Sequence, residues 1–131
     1  MRTARLLVLI MSFSSQAKTS HSFQPLLVPP TGVSITLTTT DDSKVAKTIA
    51  KSLIESKLAK CVQIEQVESI YEWDNKIEET QEYRLVIKAP SVNNKQIEEA
   101  IHSMHNYKLP QVISFDANGG STAYLDWVKS I

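Results

Sequence analysis

The chain is expected to fold as an α+β sandwich of ferredoxin-like order, β-α-β-β-α-β, with a long hairpin and a further helix at the C-terminus. Three observations predict it. Between residues 33 and 131 the apolar spacing switches from a period of two to a period near that of a helix and back, twice over. Two alternating runs meet at a short polar turn with no helical pattern between them. The length, 131 residues, suits one buried core and not two.

The elements follow in chain order. VSITLTTT, residues 33–40, is β-branched and sets Val33, Ile35 and Leu37 against Ser34, Thr36 and Thr38, the pattern of a strand with one buried, apolar face. Asp41 and Asp42 offer carboxylates to the unpaired N–H groups of a first helical turn. Val45, Ile49 and Leu53 then recur beside Ala46, Ala50 and Ile54, ending with Leu58, while lysines 44, 47, 51, 57 and 60 take the other side. That is an amphipathic helix. CVQIEQVESIYEW, residues 61–73, alternates again, but its apolar phase slips from Val62 and Ile64 to Val67, Tyr71 and Trp73. A period of two cannot slip by one without turning the strand over, so a bulge or bend is predicted near residues 65–69.

Asp74, Asn75 and Lys76 form a hairpin-type turn in which Asn75 takes positive φ. Residues 77–89 resume with Ile77, Tyr83, Leu85 and Ile87 on one face and Glu78, Glu82, Arg84 and Lys88 on the other. After Pro90, a second helix from Ser91 to His105 presents Ile97, Ala100, Ile101 and Met104 together. QVISFDA, 111–117, is a short strand, NGG, 118–120, a turn, and the last residues a helix that Ser121 caps. The hairpin is longer than its own sheet needs. Its tip is therefore expected to pair with another subunit.

Residues 1–32 read as a targeting segment or disordered tail, with the domain proper at 33–131. Arg2 and Arg5, the apolar run Leu6–Phe13 and small residues at Ser15 and Ala17 suit a secretory signal; the acid-free, hydroxyl-rich stretch after it suits an organellar transit peptide. Without such an address the chain would be cytoplasmic. Lys plus Arg and Asp plus Glu both number 14, but no acid precedes Asp41, which leaves eleven basic against fourteen acidic residues in 41–131. A mildly acidic domain lacks the basic footprint of a nucleic-acid binder, and the first strand has none of the aromatics an RNA-reading sheet requires. No run is long enough for a membrane span.

The single cysteine, Cys61, excludes an intrachain disulfide and a multi-cysteine zinc site. His102 and His105, near the end of the second helix, are candidate metal ligands, with His105 at the rim of its apolar face and His102 turned to solvent. A helix C-terminus also favours histidine for its last carbonyls. Cys61 with His105 as a nucleophile pair, and Glu78, Glu79 and Glu82 as acid and base, are both outweighed by a buried thiol and a solvated strand face. No enzyme is expected.

KLAKCV (57–62), SIYEWDNKIE (69–78), EYRLVIKA (82–89), HNYKLPQVI (105–113) and GSTAYLDW (120–127) resemble, in order and spacing, motifs of the CutA divalent-cation tolerance family. The resemblance implies a homotrimer whose long hairpins interlock, and copper or another divalent metal as a ligand, with His105 and Met104 as the residues nearest to its site. It departs from the family pattern in places. Thr38 stands at a cysteine position, Met104 at a histidine, Asn106 at a proline and Asn75 at the turn glycine, so any metal site is weak: a hydroxyl is not a soft thiolate. The resemblance also implies that Tyr71, Trp73, Glu82, Lys88 and Tyr107 line an intersubunit cleft. The alternative function is a trimeric small-molecule sensor akin to nitrogen-regulatory PII proteins, or an interaction scaffold, without metal.

Overall fold

The computed structural model describes residues 30–131. The targeting segment is expected over residues 1–32, and its residues 1–29 lie outside the described residues. Seven elements follow the expected order: β1 (Val33–Thr40), α1 (Ser43–Glu55), β2 (Cys61–Trp73), β3 (Lys76–Pro90), α2 (Asn94–Met104), β4 (Ile113–Asp116) and α3 (Thr122–Lys129). The strands form one antiparallel sheet in the order β2-β3-β1-β4.

Local chemistry accounts for the boundaries. Asp42 caps α1, its carboxylate accepting from the N–H groups of Lys44 at 2.8 Å and Val45 at 3.3 Å. The helix stops at Glu55, three residues before the expected Leu58, and the chain turns out of it through Lys57 at φ 59. A short 3-10 turn, Ser91–Asn93, leads into α2, and the Ser121 hydroxyl caps α3 at the N–H of Tyr124. Asp74 and Asn75 both have positive φ, 50 and 61, the geometry of the two-residue turn whose twist matches the strands it joins. Gly32, at φ 77, lets the chain enter β1 while its carbonyl accepts from Ser91 N–H at 2.8 Å.

The core lies between the sheet and the helix pair. Leu85, Ile87 and Ala89 of β3 meet Ala46, Ile49, Ala50 and Leu53 of α1 and Ile97 and Ile101 of α2. β1 corrects the expectation that its apolar face is the more deeply buried one. Strand pairing sets Thr36 opposite Ile87 and Thr38 opposite Leu85, so Ser34, Thr36, Thr38 and Thr40 are the residues under the helices, at 1% exposure or less. Three of the four hydroxyls find partners there. Ser34 bonds to Ser91 and Asp116, Thr36 to Ser114, and Thr40 to Asn106, which removes most of the cost of burying them.

Val33, Ile35 and Leu37 share the opposite face with Ile113 and Phe115 of β4. There α3 covers only part of the sheet. Val33 and Val128 are buried, Ile35 and Leu37 half-buried, and Ile113 and Phe115 are 55% and 48% exposed.

The bulge predicted near residues 65–69 is absent. β2 and β3 keep one unbroken register from Cys61 opposite Lys88 to Trp73 opposite Lys76. β1 borders β3 only as far as Tyr83, and beyond it Glu82 is the last buried residue, so the arm from there to the tip has no buried side chain on either face. Ile64 and Ile70 can then take one face while Val67, Tyr71 and Trp73 take the other, and the phase slip in the sequence needs no backbone defect.

Candidate functional site

The most connected polar group in the domain gathers where β1 ends. His105 is the first residue past α2 and extended, which swings its ring back toward β1. Nε2 lies 2.8 Å from the carbonyl of Thr39, and Nδ1 accepts the N–H of Tyr107 at 3.0 Å. These partners specify a neutral imidazole protonated on Nε2, because Thr39 offers only an acceptor and Tyr107 N–H only a donor. The Tyr107 ring packs against it, centroids 4.9 Å apart, and the Tyr107 hydroxyl donates to Glu82 Oε2 at 2.9 Å. Glu82 is only 7% exposed. Burial, then the hydrogen bond to that carboxylate and its negative charge, push the Tyr107 hydroxyl well above the usual tyrosine range. Asn106 clamps the same corner. It accepts from Thr40 at 2.6 Å and donates to Asp41 at 2.8 Å.

Sequence reasoning found His105, Tyr107 and Glu82 and missed Thr39, Thr40, Asn106 and Asp41. Thr39 acts through its backbone, and Thr40 through a buried face that the apolar pattern assigned to the other side. The other expected cleft residues do not join this cluster within one chain. Tyr71 and Trp73 sit toward the hairpin tip, opposite Glu78 and Lys76. Lys88 lies six residues along β3 from Glu82, roughly 20 Å away, with its ammonium 5.5 Å from the Tyr124 ring. Met104 packs against the core beneath the helices. His102 is exposed as expected, with Nε2 4.0 Å from Glu98. Cys61 pairs with Lys88, while His105 bonds at Thr39, the partner of Arg84, so thiol and imidazole lie roughly 13 Å apart along the sheet. They are not a catalytic pair.

As a metal donor set this corner fits poorly. Both imidazole nitrogens are already bonded within the chain, the thioether faces the core, and no group of three or more His, Cys, Asp or Glu is gathered among the described residues. A cation at His105 must displace either the Thr39 carbonyl or the Tyr107 N–H.

Comparison with known proteins places this geometry. Residues 34–131 match the family model described as CutA1 divalent ion tolerance protein. The chain belongs to the CutA1 family. It is 37% identical over 134 residues to mouse Protein CutA, a match covering 98% of this chain and 76% of that one. The chloroplastic Protein CutA of Arabidopsis thaliana is 33% identical over 120 residues, covering 91% of this chain and 63% of its own. The solved divalent cation tolerance protein of Thermus thermophilus superposes with a TM-score of 0.71 at 34% identity, over 74% of this chain and 95% of that chain. This CutA1 chain spans 76%, 58% and 72% of the length of the mouse, human and bovine relatives.

Two CutA1-family positions carry predictions. Thr38 is fully buried, and its Oγ1 has no hydrogen-bond partner among the described residues. Thr38→Val keeps the shape and removes the stranded hydroxyl, so it is expected to raise the free energy of unfolding by about 1 kcal/mol in urea melts. A loss of stability would mean that the hydroxyl is satisfied. At His105, burial is the main cause holding the pKa below the ordinary 6.5; the Thr39 carbonyl opposes the shift and His102 adds to it. The unfolded chain then takes up its proton at higher pH than the folded one. Stability is therefore expected to decline as pH falls below about 6.5, until the folded value is passed. His105→Asn should flatten that decline in melts run between about pH 7.5 and 5.5.

Proposed function

We propose that the chain works in divalent-cation tolerance as a homotrimer of ferredoxin-like domains, with the β2–β3 hairpin as the clasp between copies. The observation that carries this is the reach of the hairpin. Beyond Tyr83 it leaves β1 behind, and its arm exposes Ile70 at 65%, Trp73 at 54% and Ile77 at 79%. Water is a poor neighbour for such a ribbon, and among the described residues β2 is an edge strand with no second strand beside it. Ile113 and Phe115 add an apolar patch on the open sheet face. Light scattering on the chain from residue 33 is expected to return three chain masses, and Ile77→Glu with Phe115→Glu to shift it toward one. A monomeric parent would remove the proposal.

Metal enters this reading as a weakly held ligand. Copper(II) is expected to reach His105 only by breaking one of its two hydrogen bonds, and to be released as falling pH protonates the imidazole. Calorimetric titration of the parent against His105→Ala and His102→Ala tests the assignment: binding unchanged in the first and lost in the second would move the site to His102. A sensor of small anions fits the same corner less well, because the nearly buried Glu82 carboxylate repels an anion placed beside Tyr107. None of the helices among the described residues is long and apolar enough to cross a membrane. The targeting role of residues 1–32 joins the proposal: a full-length fluorescent fusion should enter an organelle or the secretory route, and a fusion lacking residues 1–32 should not.

A further inference from the structure

We propose that Asn118 is a spontaneous deamidation site that marks the link between β4 and α3. Asn118 is the one asparagine of the sequence followed by glycine. It stands exposed in the irregular stretch 117–121, and Gly119 is equally open: a Cβ built there meets no atom within 4 Å. The Gly119 N–H makes no backbone hydrogen bond among those of the loops, and the stretch around it is fastened only at its ends. Ala117 N–H donates to Val33 and Tyr124 N–H to the Ser121 hydroxyl.

The other asparagines are held or hindered. Asn93 Nδ2 donates to the Leu58 carbonyl, Asn94 Nδ2 to Ser34, and Asn106 is clamped between Thr40 and Asp41. Asn75 is locked in the hairpin turn and precedes Lys76, whose side chain crowds the attacking nitrogen.

The chemistry needs only base and water. The Gly119 amide nitrogen loses its proton and attacks Asn118 Cγ; the N–Cγ bond forms, the Cγ–Nδ2 bond breaks, and ammonia leaves with the added proton. The resulting succinimide opens when water adds at either carbonyl. One route leaves aspartate and the other isoaspartate, with no change of oxidation state. Aspartate places a negative charge ahead of the α3 N-terminus, where it is favourable. Isoaspartate reroutes the backbone through the side chain and lengthens the connection that seats Val128.

The test uses the full chain incubated in mildly alkaline buffer made with isotopically heavy water, then digested with trypsin. Cleavage after Lys108 and Lys129 yields peptide 109–129, in which Asn118 is the only asparagine. That peptide is expected to gain the mass of amide-to-acid exchange plus one heavy oxygen, ahead of the peptides carrying Asn75, Asn94 and Asn106. The rate should rise with pH and fall several-fold in Gly119→Ala, which the open space around residue 119 accommodates. Two results would overturn the proposal. One is an unchanged Asn118 in the folded chain over a period in which free peptide 109–129 converts. The other is equally fast conversion in Gly119→Ala.

Discussion

Leu85→Ala is expected to lower the free energy of unfolding by about 3 kcal/mol, the upper part of the effect coming from a cavity that the surroundings cannot close. Leu85 is fully buried at the centre of β3, packed among Ile49, Leu53, Ile97 and Ile101, which come from two different helices. Neither helix can move into the gap without leaving the other. Val86, the next residue, shows its side chain to the half-covered face, so Val86→Ala should cost far less. Urea melts on both variants, with unchanged denaturant slope, check this. Equal losses would mean that the two faces of the sheet are equally buried in the assembled protein.

Tyr107→Phe is expected to cost about 2 kcal/mol, because it leaves the Glu82 carboxylate, only 7% exposed, without its hydroxyl donor. Glu82→Gln should cost less: the amide oxygen still accepts from Tyr107 and no charge is stranded. In that variant the Tyr107 hydroxyl is expected to titrate at lower pH than in the parent, since the carboxylate hydrogen bond and charge are among the causes holding it high. Ultraviolet titration of the phenol follows this directly. If Tyr107→Phe and Glu82→Gln are both neutral, the contact is incidental to the fold and the corner is not a built site.

The elements could be read from the chain because their signals are local. The Asp42 cap, the tight turn at Asp74 and Asn75, and the Ser121 cap each depend on a few neighbouring residues, and each forms where it was expected. The β-α-β-β-α-β order and the closing helix follow from apolar spacing within single elements. The site was legible only in part. His105 stood out by its residue type and Tyr107 only through the family resemblance, while the Thr39 carbonyl that holds His105 carries no side-chain signal at all.

What the sequence by itself determined is thus the order and type of the elements, their caps and turns, and the family to which they belong. Which side of a strand is inside was a tertiary decision. β1 offers two candidate faces, and pairing with β3 chose the hydroxyl face for the helices because Leu85 and Ile87 already faced that way. The straight hairpin was decided likewise: a period of two constrains register only where one face is buried, and between Glu82 and the tip neither is. The state of His105 was decided last of all: the bond from Tyr107 N–H is local, but the Thr39 carbonyl that takes the Nε2 proton comes from 66 positions away, and no local pattern encodes that approach.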